Sequence, residues 1–181
     1  TNYIAANAPD AKTREQEIAE MGKEEYEEKA MTIFPKMADG TPFFYDYQIR
    51  GFFKDSCAAL QRCRAGKGGK PEAFASESCA MKAYKKIIDG CIFVKERKIP
   101  IHCSGDMGVL QRPLRAQTAQ GERIALASSE TAPADSWIEF TVQCLSDSYA
   151  GAVIEWLNYG AFRGLGQWRN ASYGRFVYKI I

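Results

Sequence analysis

Histidine occurs once in this chain, as His102, and none of the six cysteines stands in a C-x-x-C pair. A zinc site draws on four ligands, and its sequence mark is a tight local spacing of Cys and His. Cys57, Cys63, Cys79, Cys91, Cys103 and Cys144 offer no such spacing. They read as reduced thiols of a cytoplasmic protein, several buried in helices and strands, rather than as a disulfide framework, and neither metal nor cofactor is expected. Also lacking are an apolar run of membrane-spanning length and a signal-type hydrophobic region, so the pattern predicts neither membrane insertion nor secretion. The net charge is only +2, too small to announce a polyanionic partner. Position 1 is Thr rather than Met, and no strand precedes Pro9, from which we expect a longer natural chain.

What is present is enough apolar material, 46% of 181 residues, for one good core and a small second lobe. The charge is unevenly spread. Residues 1–30 carry four basic and eight acidic side chains, a net of −4, which leaves +6 for the remainder. We therefore expect a helical, acidic N-terminal segment over residues 1–31 and a basic folded domain over 32–181. Asp10 can cap a helix over Ala11 to Ala30, whose thin apolar stripe of Ile18, Met21 and Tyr26 marks a solvated excursion or a partner contact.

Further along, Asp39-Gly40 between the apolar runs Thr32–Pro35 and Thr41–Tyr45 predicts a hairpin. Asp46 then opens a helix through Asp55, Cys57, Leu60 and Cys63, on which Arg50 and Lys54, four apart, can face one phosphate track. Ala65 to Pro71 reads as a basic loop, Glu72 to Asp89 as a helix closed by Gly90, and Cys91 to His102 as a strand on which Lys95 and Arg97 share a face. Leu110 to Thr118, with Arg112 and Arg115, precedes Arg123 to Glu130, a turn at Thr131 to Asp135, and an alternating strand from Ser136 to Cys144. Val153, Ile154, Trp156, Leu157 and Phe162 are spaced for one buried helix face, and the apolar run Val177 to Ile181 predicts a terminal strand.

Between that helix and that strand lies Arg163-Gly164-Leu165-Gly166-Gln167-Trp168-Arg169-Asn170-Ala171-Ser172-Tyr173-Gly174-Arg175. Gly164 and Gly166 permit positive φ and close backbone approach. From Ala161 onward Arg163, Arg169, Arg175 and Lys179 meet no acidic residue. Trp168 and Tyr173 interleave rings with the guanidinium groups, a mixture that suits phosphates and unstacked bases. The same stretch also reads as a helix C-cap and a turn, with Trp168 as core and the arginines solvated.

The order of helix, glycine loop and last strand resembles the C-terminal signature of the RAMP superfamily, the repeat-associated RNA-binding proteins of CRISPR effector complexes. Pro133-Ala134-Asp135-Ser136-Trp137-Ile138-Glu139-Phe140 resembles the "P-x-G-(S/T)-x-F-x-F" strand of type III backbone subunits, with Asp135 in place of glycine, a residue that tolerates left-handed φ. Tyr47 to Lys54 resembles the second half of the family's first-helix motif without its serines. The likeness covers Leu110 to Ile181, with a fainter match over Phe43 to Lys54. It extends in feel to uncharacterised phage and prophage proteins.

The resemblance implies an α+β, ferredoxin-like (RRM-type) domain with an antiparallel sheet. It also implies a non-catalytic role in binding single-stranded nucleic acid, RNA ahead of DNA, and assembly with copies of itself or with effector subunits. Arg50, Lys54, Arg112, Arg115, Arg163, Arg169 and Arg175 would neutralise phosphates, Trp168 and Tyr173 would stack on bases, and Gly164, Gly166 and Gln167 would bring backbone close to the strand. Two alternatives stay open: a phage-encoded inhibitor that imitates an effector subunit through protein contacts, and a metal-independent endoribonuclease in which His102 deprotonates a 2′-hydroxyl. His102 at a strand end also reads as a structural hydrogen-bonding group.

Overall fold

The computed structural model describes residues 16, 19, 20, 22, 31–63, 76–118 and 121–181. Apart from four positions, the expected helix over residues 11–30 falls outside them, as does all of the basic loop 65–71. The chain divides into two units, each discontinuous in sequence. One comprises residues 1–35 and 102–137, here called the ribbon unit, and the other residues 36–101 and 138–181, the core unit. The architecture is mixed α+β, with small antiparallel sheets and four α-helices among the described residues.

In the core unit the Asp39-Gly40 turn forms, but the expected hairpin is reduced to a single Lys36–Pro42 bridge, because residues 43–45 pair with residues 98–100 and Thr32 bridges to Ser129. Gly40 takes φ +86°, its N–H donates to Met37 O at 3.0 Å, and the Asp39 carboxylate accepts the Thr41 N–H at 3.0 Å. The chain then enters β1 (Phe43–Tyr45) and α1 (Asp46–Arg62). The N-cap Tyr45 N–H is satisfied by Gln48 Oε1 at 2.7 Å, and Asp46 places negative charge at the positive end of the helix dipole. Ile49, Phe52, Phe53, Ser56, Cys57 and Leu60 make its buried face, at the three- and four-residue spacing of an amphipathic helix. Burial pushes the Cys57 thiol up to about 11, and all six cysteines are free.

Of the expected helix over residues 72–89, residues 72–75 lie outside the described ones and the rest is two helices, α2 (Ser76–Ala80) and α3 (Tyr84–Cys91), broken where Ala83 takes φ 51°. Gln61 Nε2 donates to Ser78 O and Met81 O, at 3.0 and 2.9 Å, and so supplies partners at the break, where Ser78 O otherwise accepts, among the described residues, only the Met81 N–H at 3.4 Å. Gly90 therefore lies inside α3 rather than closing it. The expected single strand over 91–102 is likewise two, β2 (Ile92–Val94) and β3 (Lys98–Pro100). They belong to different sheets. β3 pairs antiparallel with β1, Tyr45 opposite Lys98, and β2 pairs antiparallel with β6 (Val142–Cys144), Phe93 opposite Gln143. Between them Glu96 accepts the Thr141 N–H at 2.7 Å, which holds the bend. Of the expected strand over 136–144, only β6 joins a sheet by strand pairing.

The last helix, α4 (Ala150–Arg163), runs over the expected span and buries Ala152, Val153, Glu155, Trp156 and Gly160, while Phe162 is exposed, against the sequence reading. Trp156 is fully buried, its ring 5.3 Å from Phe53, in a core that also draws on Ile88, Ile92, Val94 and Ile99. Burying a carboxylate beside it requires full hydrogen bonding. Glu155 accepts the N–H groups of Glu77 and Ser78 at 2.8 and 2.9 Å and the Ser78 hydroxyl at 2.9 Å, and that hydroxyl in turn accepts the Trp156 indole N–H at 2.9 Å.

The terminal strand expected over Val177 to Ile181 does not form. Val177, Ile180 and Ile181 are 94%, 66% and 87% exposed. Instead Phe176 fills the space over Gly160, where a Cβ would overlap the ring, and Tyr178 Oη donates to Asn158 Oδ1 at 2.9 Å. Both anchors hold this backbone to α4 and away from a sheet edge.

In the ribbon unit, β4 (Gly108–Thr118) and β5 (Gly121–Thr131) form a two-stranded antiparallel ribbon of eleven residues a side. Thr32 bridges the base of β5, donating its N–H to Ser128 O at 3.0 Å and accepting the Glu130 N–H at 2.8 Å. Asp135 adopts φ 62°, the left-handed conformation anticipated for it.

Candidate nucleic-acid interface

The glycine loop is built by its own backbone. Gly164 ends α4 with φ +79°, and the Leu165 N–H donates to Gly174 O at 2.8 Å, closing the loop on itself. The approach is so tight that a Cβ on Gly174 would overlap Leu165 O, and one on Gly164 would come within 2.5 Å of Tyr173 O. Gly166 takes φ +86°, and the non-glycine residues Trp168 and Ser172 sit at φ 56° and 67°. Trp168 is half-buried, Gln167 exposed and Tyr173 42% exposed.

The arginines of this loop are largely engaged within the molecule. Arg163 Nε and Arg169 Nη1 both donate to Asp55 Oδ2, at 3.2 and 2.7 Å, and Arg163 Nη1 donates to Asn170 Oδ1 at 2.6 Å. Arg175 is exposed and makes no ion pair or hydrogen bond with a described residue. On α1, Arg50 pairs with Asp46 at 2.9 Å and Lys54 with Asp89 at 2.5 Å, so the two diverge rather than facing one phosphate track. Arg112 and Arg115 lie on β4 in the ribbon unit, the first half-buried, the second exposed.

His102 also belongs to the ribbon unit. Its backbone exchanges hydrogen bonds with Trp137 at 2.9 and 3.0 Å, and its ring stacks on the indole with centroids 3.9 Å apart and planes 16° apart. Among the described residues its imidazole has no hydrogen-bond or ion-pair partner. A general base is held and tuned by such a partner. The arrangement is a flat, exposed aromatic pair, with Trp137 54% exposed.

A second aromatic platform, in the core unit, was missed in the sequence. Tyr45 and Tyr47 stack with centroids 5.1 Å apart and planes 17° apart, and the Arg97 guanidinium carbon sits 5.4 and 5.7 Å from their ring centres. Arg97 also pairs with Asp46, and the Asp46 N–H donates to Arg97 O at 3.3 Å. Burial on its own would raise the Asp46 carboxyl, but hydrogen bonding to Arg97 and the charges of Arg97 and Arg50 outweigh it and hold the group below its ordinary value. Tyr47 is 51% exposed and the Arg97 side chain 67%. The alternating aromatics of Phe43 to Tyr47 were the available signal. What could not be read was Arg97, which reaches them only through the β1–β3 register.

No family model, no curated protein and no solved structure matches this chain.

Proposed function

We propose that the protein binds single-stranded nucleic acid, RNA in preference to DNA, as a non-catalytic, RAMP-type module of ferredoxin-like descent that assembles along the strand with its own copies or with effector subunits. The observation that carries this reading is the Tyr45–Tyr47–Arg97 platform. Stacked, half-exposed rings with a solvent-facing guanidinium are what an unpaired base and its phosphate require, and base–aromatic stacking tolerates any sequence. The exposed His102–Trp137 pair, Tyr173 and Arg175 offer the same chemistry at other points of the surface. The element order supports the family kinship: β1 leading into a long helix, a ribbon, a strand, then α4 and the glycine loop. The division of the described strands into three two-stranded sheets and the unpaired residues 177–181 are its departures from a ferredoxin-like sheet.

The test is titration of labelled single strands at several salt concentrations. Tyr47→Ala should weaken binding by about 1–3 kcal/mol and leave the salt slope unchanged, whereas Arg97→Ala should lower that slope by about 0.7. Native protein that binds neither RNA nor DNA at low salt would refute the reading.

A further inference from the structure

The pairing of Arg163 and Arg169 with Asp55 does more than hold the glycine loop, because it stands at the edge of a cavity. Asp55, Ala58, Ala59 and Arg62 follow one another along a single stripe of α1, and Tyr159 and Arg163, four apart, make the facing stripe of α4. Together these six residues line a space of about 270 Å³. The two alanines leave its floor open, and the longer side chains stand around it.

The chemistry of that lining is lopsided. Two guanidinium groups, those of Arg62 and Arg163, line it with one carboxylate, and Arg169 reaches that carboxylate from outside the lining at 2.7 Å. Arg62 and Arg163 lie in the last turns of α1 and α4, whose dipoles contribute about half a negative charge each. With Arg169 counted as the partner of Asp55, a net positive charge of about one remains after both helix ends and that carboxylate are included. Arg62, in the last turn of its helix, acts on the dipole through space without need of a carbonyl bond. It makes no hydrogen bond or ion pair with a described residue, and neither does the Tyr159 hydroxyl. Arg163, by contrast, is held at Nε by Asp55 and at Nη1 by Asn170, with Nη2 left over. One guanidinium is thus pre-oriented, and a second guanidinium and a phenol beside the same cavity are unengaged by any described residue.

We infer that this cavity binds a phosphate group, with Arg62 and Arg163 donating charge-assisted hydrogen bonds, Tyr159 donating a third bond, and Asp55 acting as the positioning residue for Arg163 and Arg169. A space of this size admits a phosphate with its near neighbours, and the proposed occupant is a terminal phosphate, a monoester. The inference rests on the nucleic-acid reading only for the source of that group, the 5′ end of a bound strand.

The experiment has two arms. In the first, inorganic phosphate is added at an ionic strength matched with sodium chloride, and thermal unfolding is followed for native protein, Arg62→Gln and Tyr159→Phe. The expected result is a phosphate-dependent rise in Tm for native protein that is abolished in Arg62→Gln and reduced in Tyr159→Phe, with all three unfolding alike in chloride. A rise equalled by chloride, or retained in Arg62→Gln, overturns the site. In the second arm, 5′-phosphorylated and 5′-hydroxyl oligonucleotides of one sequence are compared. A preference of about tenfold for the phosphorylated strand, lost in Arg62→Gln, identifies the source as nucleic acid. Equal affinities assign the phosphate to a different monoester and leave the first arm to decide the site. Absence of any oligonucleotide binding refutes the nucleic-acid reading alone.

Discussion

At the scale of single residues, glycines separate two causes that sequence alone merges. Gly164, Gly166 and Gly174 all adopt positive φ, yet only Gly164 and Gly174 are also pressed against backbone. Gly166 meets nothing nearer than the Phe44 ring at 3.9 Å. Gly166→Ala should therefore cost only the conformational penalty, about 1–2 kcal/mol. Gly174→Ala carries the same penalty plus overlap with Leu165 O, roughly 2–4 kcal/mol in total. Urea unfolding of the two variants measures the difference, and equal midpoints would mean that the loop does not close on itself. The positive φ at Gly164 and Gly166 was legible because glycine is the residue that adopts it without strain. The closure was not, since it depends on Leu165 and Gly174 meeting across a turn.

At the scale of elements, the β1–α1 junction is a pH-sensitive joint. Asp46 opens α1, pairs with Arg50 on its own helix and with Arg97 from the bend before β3, and its folded carboxyl lies below the unfolded value. A depressed carboxyl stabilises the fold above its unfolded pKa, near 3.8, and that contribution is lost as the pH falls through the lower folded value. Glu96, held by Thr141, is depressed in the same sense: burial opposes the shift, and hydrogen bonds from the Thr141 backbone and side chain outweigh it. Stability should thus be level above about pH 5 and decline below about pH 4. Asp46→Asn, less stable at neutral pH, should show a shallower decline. Unfolding free energies across the acid range test this, and parallel acid limbs for the two proteins would remove Asp46 from the account. The helices α1 and α4 were readable from apolar spacing, and so was the turn at Gly40. The division of residues 91–102 between two sheets was not, because alternation says which face a residue takes and nothing about which strand lies beside it.

At the scale of the molecule, the ribbon of β4 and β5 exposes Val109, Leu114 and Leu126 and, among the described residues, belongs to no larger sheet. Two strands by themselves are marginal in water, and an apolar ribbon is stabilised by whatever covers it. With assembly along a strand, the mass observed by sizing or light scattering should rise stepwise with oligonucleotide length. A monomer that stays monomeric on saturating oligonucleotide would favour an inhibitor acting through protein contacts. Local sterics and periodicity were enough, from sequence alone, to place α1 and α4 and to mark Gly164, Gly166 and Asp135 as positions that tolerate left-handed φ, because each depends on a residue and its near neighbours. Tertiary structure alone decided which charges are available to a ligand. Asp55 engages Arg163 and Arg169 from 108 and 114 positions away, and Arg97 reaches Tyr45 and Tyr47 only through strand pairing. The physical reason is that an ion pair or a stacked ring depends on what lies across from it in space, and the fold sets that placement.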